Sequence, residues 1–320
     1  MSPSPSSAVP PISLRLSRTD PDAFARDLGG SFERYGFAVV ADHGLDQALL
    51  DRALGDTKAF FALPEEAKRR YHQPGTGGAR GYTPFGVETA KGAAAHDLKE
   101  FWHIGRDLPP GHPYRRYMPD NLWPEEVSGF RDSLGGLYAA LDALGAKLLT
   151  AIARHLRLQP NYFDDKVRLG NSVLRLLHYP PVKPENAGHV RAGAHEDINV
   201  ITLLLGAEEA GLEILARGED GEQRWLSIAP PPGALVVNIG DMLQRLTNGV
   251  LPSTSHRVVN PAPERMGVSR YSTPFFLHFE PEFLIEALPG LRGPGRPEAG
   301  EPPITAQGFL EQRLREIKLA

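Results

Sequence analysis

The sequence predicts a mainly β protein with flanking helices, its core an antiparallel sandwich or barrel of the jelly-roll type. Three observations predict it. After Asn171 seven short apolar runs follow one another between Gly and Pro: VLRLLHY, INVITLLL, GLEIL, RWLSI, ALVVNI, STSHRVV and SRYSTPFFLHF. Short strands at fairly regular spacing with turn residues between them are the pattern of such a core. Before them Leu134, Leu137, Leu141, Leu144, Leu148, Ile152 and Leu156 recur at steps of three and four, the stripe of one long amphipathic helix. Finally, 41% hydrophobic residues over 320 positions are enough to bury a large core.

Residues 1–12, rich in Pro and Ser and without an apolar h-region, do not resemble a secretory signal and are expected to be a flexible lead-in. Residues 13–130 should form an α/β region. A helix from Asp22 leads to the strand GFAVV ending at Val40, a turn at Asp42-His43-Gly44, and a second helix reaching FFALP, where Pro64 marks a boundary. Residues 73–92 are glycine-rich without a period, which suggests a long shaped loop. It is expected to act as a lid, with Tyr82 and Phe85 covering an apolar substrate. The leucine stripe sets a packing helix at 131–160, and the strand runs set a jelly-roll domain at 165–285. A loop rich in Pro and Gly with a terminal helix from Thr305 makes up 286–320. No internal repeat is evident.

A net charge of −4 and the absence of a long basic run leave no footprint for nucleic acid. Apolar stretches such as INVITLLLG are far shorter than the roughly 18–20 residues that span a bilayer, so no membrane is expected as partner and the cytoplasm is the default location. The chain has no cysteine. Disulfides, thiolate metal sites and cysteine nucleophiles are thereby excluded, and any metal must be held by His, Asp or Glu.

His195 and Asp197 stand two apart at the start of a strand-like run, and alternation places both on one face. His256, in STSHRVV, belongs to a separate strand that a jelly roll can fold back over the pair. Two imidazoles and one carboxylate on one side of a metal leave the other side open, the arrangement suited to Fe(II) that takes up a co-substrate and dioxygen. Closed structural zinc sites use all four positions. Arg270 and Ser272, in SRYSTPFF, also share a strand face, where a guanidinium and a hydroxyl can grip a carboxylate.

The blocks HEDINVITLL, GALVVNIGDMLQRLTNG, STSHRVVNP and RYSTPFF resemble the signatures of the isopenicillin N synthase-like family of Fe(II)/2-oxoglutarate-dependent dioxygenases. GFAVVADHGLD, FFALPEEAKRRY, GARGYTPFG and HDLKEFWHIG resemble the N-terminal region of the same family, so the likeness runs from about Pro11 to Phe279. It implies a double-stranded β-helix (jelly roll), with His195, Asp197 and His256 as iron ligands and catalytic centre. Arg270 and Ser272 would bind the distal carboxylate of 2-oxoglutarate, and Tyr179 matches a tyrosine that contacts this co-substrate in plant members. Leu177 stands where those enzymes often have asparagine. The spacing from His256 to Arg270 is a few residues longer than usual, with the extra length in the turn NPAPERMG.

The implied reaction consumes 2-oxoglutarate and O2 and releases succinate and CO2 while a small-molecule C–H bond is oxidised, most often by hydroxylation. Within the family, an oxidase that needs no 2-oxoglutarate and an ethylene-forming type of enzyme stay open. Outside it, the alternative is a jelly roll that only binds a small ligand. Arg175 shares a face with Leu177 and Tyr179 and suits either an acidic substrate or a buried salt bridge. His178 points the other way and is structural. His43, His103 and His155 lack a carboxylate or His partner at strand spacing and fit turn, core or surface roles. Asn238, Asp241 and Gln244, in NIGDMLQ, fit hydrogen bonding around the turn at Gly240.

Overall fold

The computed structural model describes residues 9–87, 98–182, 191–205, 211–217, 222–261, 263–296 and 300–316. Residues 9–12, which the sequence suggests are part of the lead-in, belong to the fold. β1 (Pro11–Ser13) pairs in parallel with β2 (Phe37–Ala41), and Val9 is fully buried among Phe37, Val39 and Ile214. The apolar side chains of Val9 and Ile12 leave water and carry this segment into the sheet edge.

α1 (Leu16–Thr19) leads into α2 (Pro21–Tyr35), which starts where the Asp20 carboxylate accepts the Ala23 N–H at 2.9 Å, with Pro21 in the first turn. It ends at Gly36, whose φ of 68° supplies the left-handed cap and turns the chain directly into β2. α3 (Gln47–Phe61) is capped in the same way, Asp46 accepting from Ala48 N at 3.0 Å. After the short α4 (Glu65–Arg69) come two strands the periodicity does not reveal, β3 (Gly81–Thr83) and β4 (Glu100–Gly105).

β3 corrects the expectation for residues 73–92. Its three residues are buried and pair with β4, and Tyr82 is fully buried in the main core with its hydroxyl on Glu100. Tyr82 is therefore a fixed core residue and not a substrate cover. Phe85 is partly exposed, while residues 88–92 of the expected lid lie outside the described residues. Lys68 donates to both Glu100 oxygens at 2.7 and 3.0 Å, and His178 Nδ1 meets Glu100 Oε1 at 2.7 Å. A buried carboxylate with this many donors ties α4, β3 and β4 to the rest of the sheet.

α5 (Phe130–His155) is the long packing helix. Its leucine stripe is buried against the larger sheet, each leucine contributing roughly 1.5–3 kcal/mol. At Gly145 a β-carbon would overlap Leu277, so glycine is what lets the helix lie this close to the sheet. By length and composition α5 could cross a membrane. Here it is the helix at the centre of the core.

After α6 (Asp164–Val167) the strands follow in order: β5 (Val173–Tyr179), β6 (Ala192–His195), β7 (Ile201–Leu205), β8 (Leu212–Arg217), β9 (Gln223–Ser227), β10 (Leu235–Ile239), β11 (His256–Val258) and β12 (Arg270–Leu277). The larger sheet runs β1-β2-β10-β7-β12-β5-β4-β3 and the smaller β6-β11-β8-β9; apart from β1–β2 the pairs are antiparallel. Helices α2, α3 and α5 cover the outer face of the larger sheet, leaving its inner face to look across a cleft at the smaller one. α7 (Asp241–Leu246) follows β10, and a small ribbon of β13 (Leu284–Ile285) and β14 (Ile304–Thr305) leads to α8 (Ala306–Glu316).

Candidate metal centre

The smaller sheet places the two imidazoles. His195 ends β6 and His256 begins β11, and the two are direct antiparallel partners, with ring centroids 4.4 Å apart. Each ring is oriented through its Nδ1: His195 Nδ1–H donates to Gly193 O at 2.8 Å and His256 Nδ1–H to Thr254 O at 3.2 Å. That fixes the tautomer and turns both Nε2 atoms toward Asp197, each lying 3.9 Å from its Oδ1.

Asp197 reaches this point by a route that alternation does not describe. It lies after β6, where the chain turns toward β7, so the two-residue spacing works through a turn between sheets and not along one strand. The turn carries the carboxylate to the larger sheet, where its second oxygen is held. Thr202 of β7 donates to Oδ2 at 2.6 Å and Asn238 of β10 at 2.8 Å. Burial alone would raise the Asp197 carboxyl; the adjacent His256 and His195 and these two donors outweigh it and hold the group below its ordinary range. Desolvation within the cleft, reinforced by His256, pushes His195 down to about 4. The result is a neutral imidazole beside a carboxylate.

The ligand atoms of His195, Asp197 and His256 all lie within 4.8 Å of one another, a distance one metal ion can span. Asp197 and His256 are buried, and the His195 side chain is 40% exposed, so the cluster is open at His195. Two imidazole nitrogens and one carboxylate oxygen, on side chains each held by a hydrogen bond, suit a divalent iron that must keep positions open for exchangeable ligands.

Family models agree with this geometry. The non-haem dioxygenase N-terminal model matches residues 9–126 and the 2OG-Fe(II) oxygenase superfamily model matches residues 170–279. A 2-oxoglutarate-Fe(II) type oxidoreductase of Aspergillus fumigatus is 32% identical over 289 residues, 88% of this chain and 83% of the relative. The chain is an Fe(II)/2-oxoglutarate oxygenase of the isopenicillin N synthase-like family. A proline hydroxylase of Petromyces alliaceus is 32% identical over 92% of this oxygenase and 93% of its own length. Among solved structures, a 2OG-Fe(II) oxygenase family protein of Caulobacter crescentus is 59% identical, with a TM-score of 0.89 over 97% of this chain and 99% of its own. A full-length Neurospora crassa protein, solved in complex with α-KG and thymine, superposes with a TM-score of 0.81 at 32% identity, over 96% of each chain.

In this oxygenase Arg270 and Ser272 are buried on one face of β12, opposite Tyr179 and Leu177 of β5. The Arg270 guanidinium lies 5.1 Å over the Tyr179 ring. Leu177 packs with Phe101, Tyr179, Ala192 and Val258 between the sheets. Arg175 donates to His103 Nε2 at 2.6 Å and lies over the rings of Phe101 and Phe276. His178 is structural, as expected. His43 Nδ1 accepts the Leu45 N–H in its turn and His155 pairs with Glu33 at 2.8 Å, and neither belongs to the cluster. Asp241 N donates to Asp197 O at 2.8 Å, its carboxylate meets Arg313, and Gln244 accepts from Ser253 N.

Sequence reasoning missed Thr202 and gave Asn238 only a turn role. Both are polar residues at inward positions of otherwise apolar strands, and that interruption is the signal that could have marked them.

Proposed function

We propose that this oxygenase hydroxylates a C–H bond of a small organic molecule, with His195, Asp197 and His256 holding the iron, and Arg270, Ser272 and Tyr179 holding 2-oxoglutarate. The convergence of two Nε2 atoms and Asp197 Oδ1 in an open-sided cluster carries the reading. When bound, Fe(II) with 2-oxoglutarate supplies the activation of O2 that the side chains cannot provide. The chain's own residues do the rest. Gly193 and Thr254 carbonyls keep both imidazoles in the Nδ1–H tautomer, and Thr202 and Asn238 keep Asp197 ionised with Oδ1 directed at the imidazoles. A buried guanidinium beside the Ser272 hydroxyl offers a carboxylate a charge-assisted fork, and the Tyr179 ring under Arg270 holds that fork in place. The relatives lend support, one being a proline hydroxylase and one having been seen with thymine.

Iron-loaded protein incubated with 2-oxoglutarate and a metabolite library tests this. The expected result is succinate formed together with a product heavier by one oxygen atom, and neither in His195→Ala, Asp197→Ala or His256→Ala. Full iron-dependent turnover in any of those variants would refute the ligand set.

A further inference from the structure

The inner face of β4, β5 and β12 forms a second wall of the cleft, and it carries a charge that the reaction described above does not use. Phe101, His103 and Gly105 share this face by alternation, and in register they oppose Leu177, Arg175 and Val173. Phe101 and Leu177 pack against Ala192 of β6 and Val258 of β11, so the face looks toward the smaller sheet and its histidines. Arg80, just before β3, lies on this wall. A β-carbon on Gly105 would overlap the Arg80 guanidinium, which therefore sits flat where a side chain of Gly105 would project.

Arg80 is 2% exposed. Its Nη1 donates to Ala79 O at 2.7 Å, whereas Nε and Nη2 are buried without a hydrogen-bond partner. Among the described residues no carboxylate is within ion-pairing distance of it. Burial pushes its pKa down to about 10, which leaves it charged at neutral pH. A buried unpaired charge is costly, and Nε and Nη2 form one edge of the guanidinium, the edge that grips a carboxylate with two parallel bonds. The wall also leads to the metal cluster. Phe276, which touches the Arg175 guanidinium, is the register partner of Thr202, and Thr202 binds Asp197. His278, one alternation further along, feels both Asp197 and Arg80.

We propose that Arg80 is the receptor for a carboxylate on the primary substrate, which is a small carboxylic acid. Its head group pairs with Nε and Nη2, and its body extends along the inner face of β5 and β12, past Arg175, toward His195, Asp197 and His256. The inference rests on the oxygenase reading, to which it adds the substrate class. Arg80 is a binding residue in this account and takes no part in holding 2-oxoglutarate.

Benzoate and benzamide, alike in shape and different in charge, are the probes. Each is titrated calorimetrically, without oxygen, into the iron-loaded protein saturated with 2-oxoglutarate. Benzoate should bind the wild type more tightly than benzamide, and Arg80→Met should weaken benzoate by about tenfold or more. Free of probe, Arg80→Met should melt above the wild type, because it removes an unpaired buried charge. If Arg80→Met does not fold, Arg80→Lys, which keeps the charge and loses the fork, should show the same weakening. Equal benzoate affinity in wild type and variant, or no preference of the wild type for benzoate over benzamide, would overturn the proposal. Affinity for 2-oxoglutarate is read in the same proteins. Its absence in the wild type would count against the oxygenase reading, while its persistence with unchanged benzoate binding would count against Arg80 alone.

Discussion

Thr202→Val isolates the support behind the Asp197 carboxylate, the proposed iron ligand. Valine keeps the shape of threonine and removes the hydroxyl that donates to Asp197 Oδ2 at 2.6 Å. Asn238 still donates to that oxygen at 2.8 Å, and Asn199, which also bonds Thr202, keeps its 2.7 Å bond to Ile201 O. The fold should therefore lose only about 1 kcal/mol. The metal should feel the change more, because a partner that orients a ligating carboxylate is typically worth about 10- to 100-fold in metal affinity, or roughly 1.4–2.7 kcal/mol. Asn238→Leu should cost a similar amount, and the double variant less than the sum, since both donors act on one oxygen. Anaerobic calorimetric titration of Fe(II) into each protein, with melting curves alongside, measures both quantities. Iron affinity within twofold of wild type in the double variant, with the protein folded, would refute the view that these donors set the carboxylate.

Arg270→Lys should raise the 2-oxoglutarate concentration needed for half-maximal turnover by at least about tenfold while leaving iron affinity near wild type, because an ammonium cannot reproduce the fork; steady-state kinetics with an iron titration checks it. His278 gives a pH prediction. Burial pushes it from the ordinary 6.5 down to about 4, so on acidification the unfolded chain takes up the proton first. Its contribution is complete above about pH 6.5 and is lost as pH falls toward 4, about 3 kcal/mol in all. His278→Asn keeps a donor for the Phe276 carbonyl, which His278 Nδ1 meets at 3.0 Å, and should flatten the acid limb of a plot of stability against pH. An unchanged acid limb would mean that other groups carry it.

The seven strands β5 and β7 to β12 were legible because each is a short apolar run, and α5 because its stripe repeats without interruption; β6, with the sequence AGAH, has no such run, and His195 was read at the start of the strand that follows instead. β4 was not legible, since all six of its residues are buried and a strand covered on both faces shows no alternation. β3 hid within glycine-rich sequence whose composition signals a loop, although pairing with β4 and the Tyr82 hydroxyl on Glu100 fix it in the core. The three clustered residues His195, Asp197 and His256 were identified from their types, but the local geometry was read too simply. Asp197 leaves the strand of His195 and crosses to the other sheet, a path set by long-range bonds to Thr202 and Asn238 that no local spacing encodes. Arg80 was invisible for the same reason. Its place over Gly105 depends on a pairing between strands, one of which the sequence did not announce.

The central claim is that one iron ion sits between His195 Nε2, His256 Nε2 and Asp197 Oδ1. Crystals of the protein grown without oxygen with Fe(II) and 2-oxoglutarate, measured on both sides of the iron absorption edge, test it directly. The account predicts a single strong anomalous peak bonded to those three atoms, with 2-oxoglutarate completing the coordination and its distal carboxylate on Arg270 and Ser272. A peak held by other residues, or well-ordered His195, Asp197 and His256 with no iron between them at saturating metal, would contradict it.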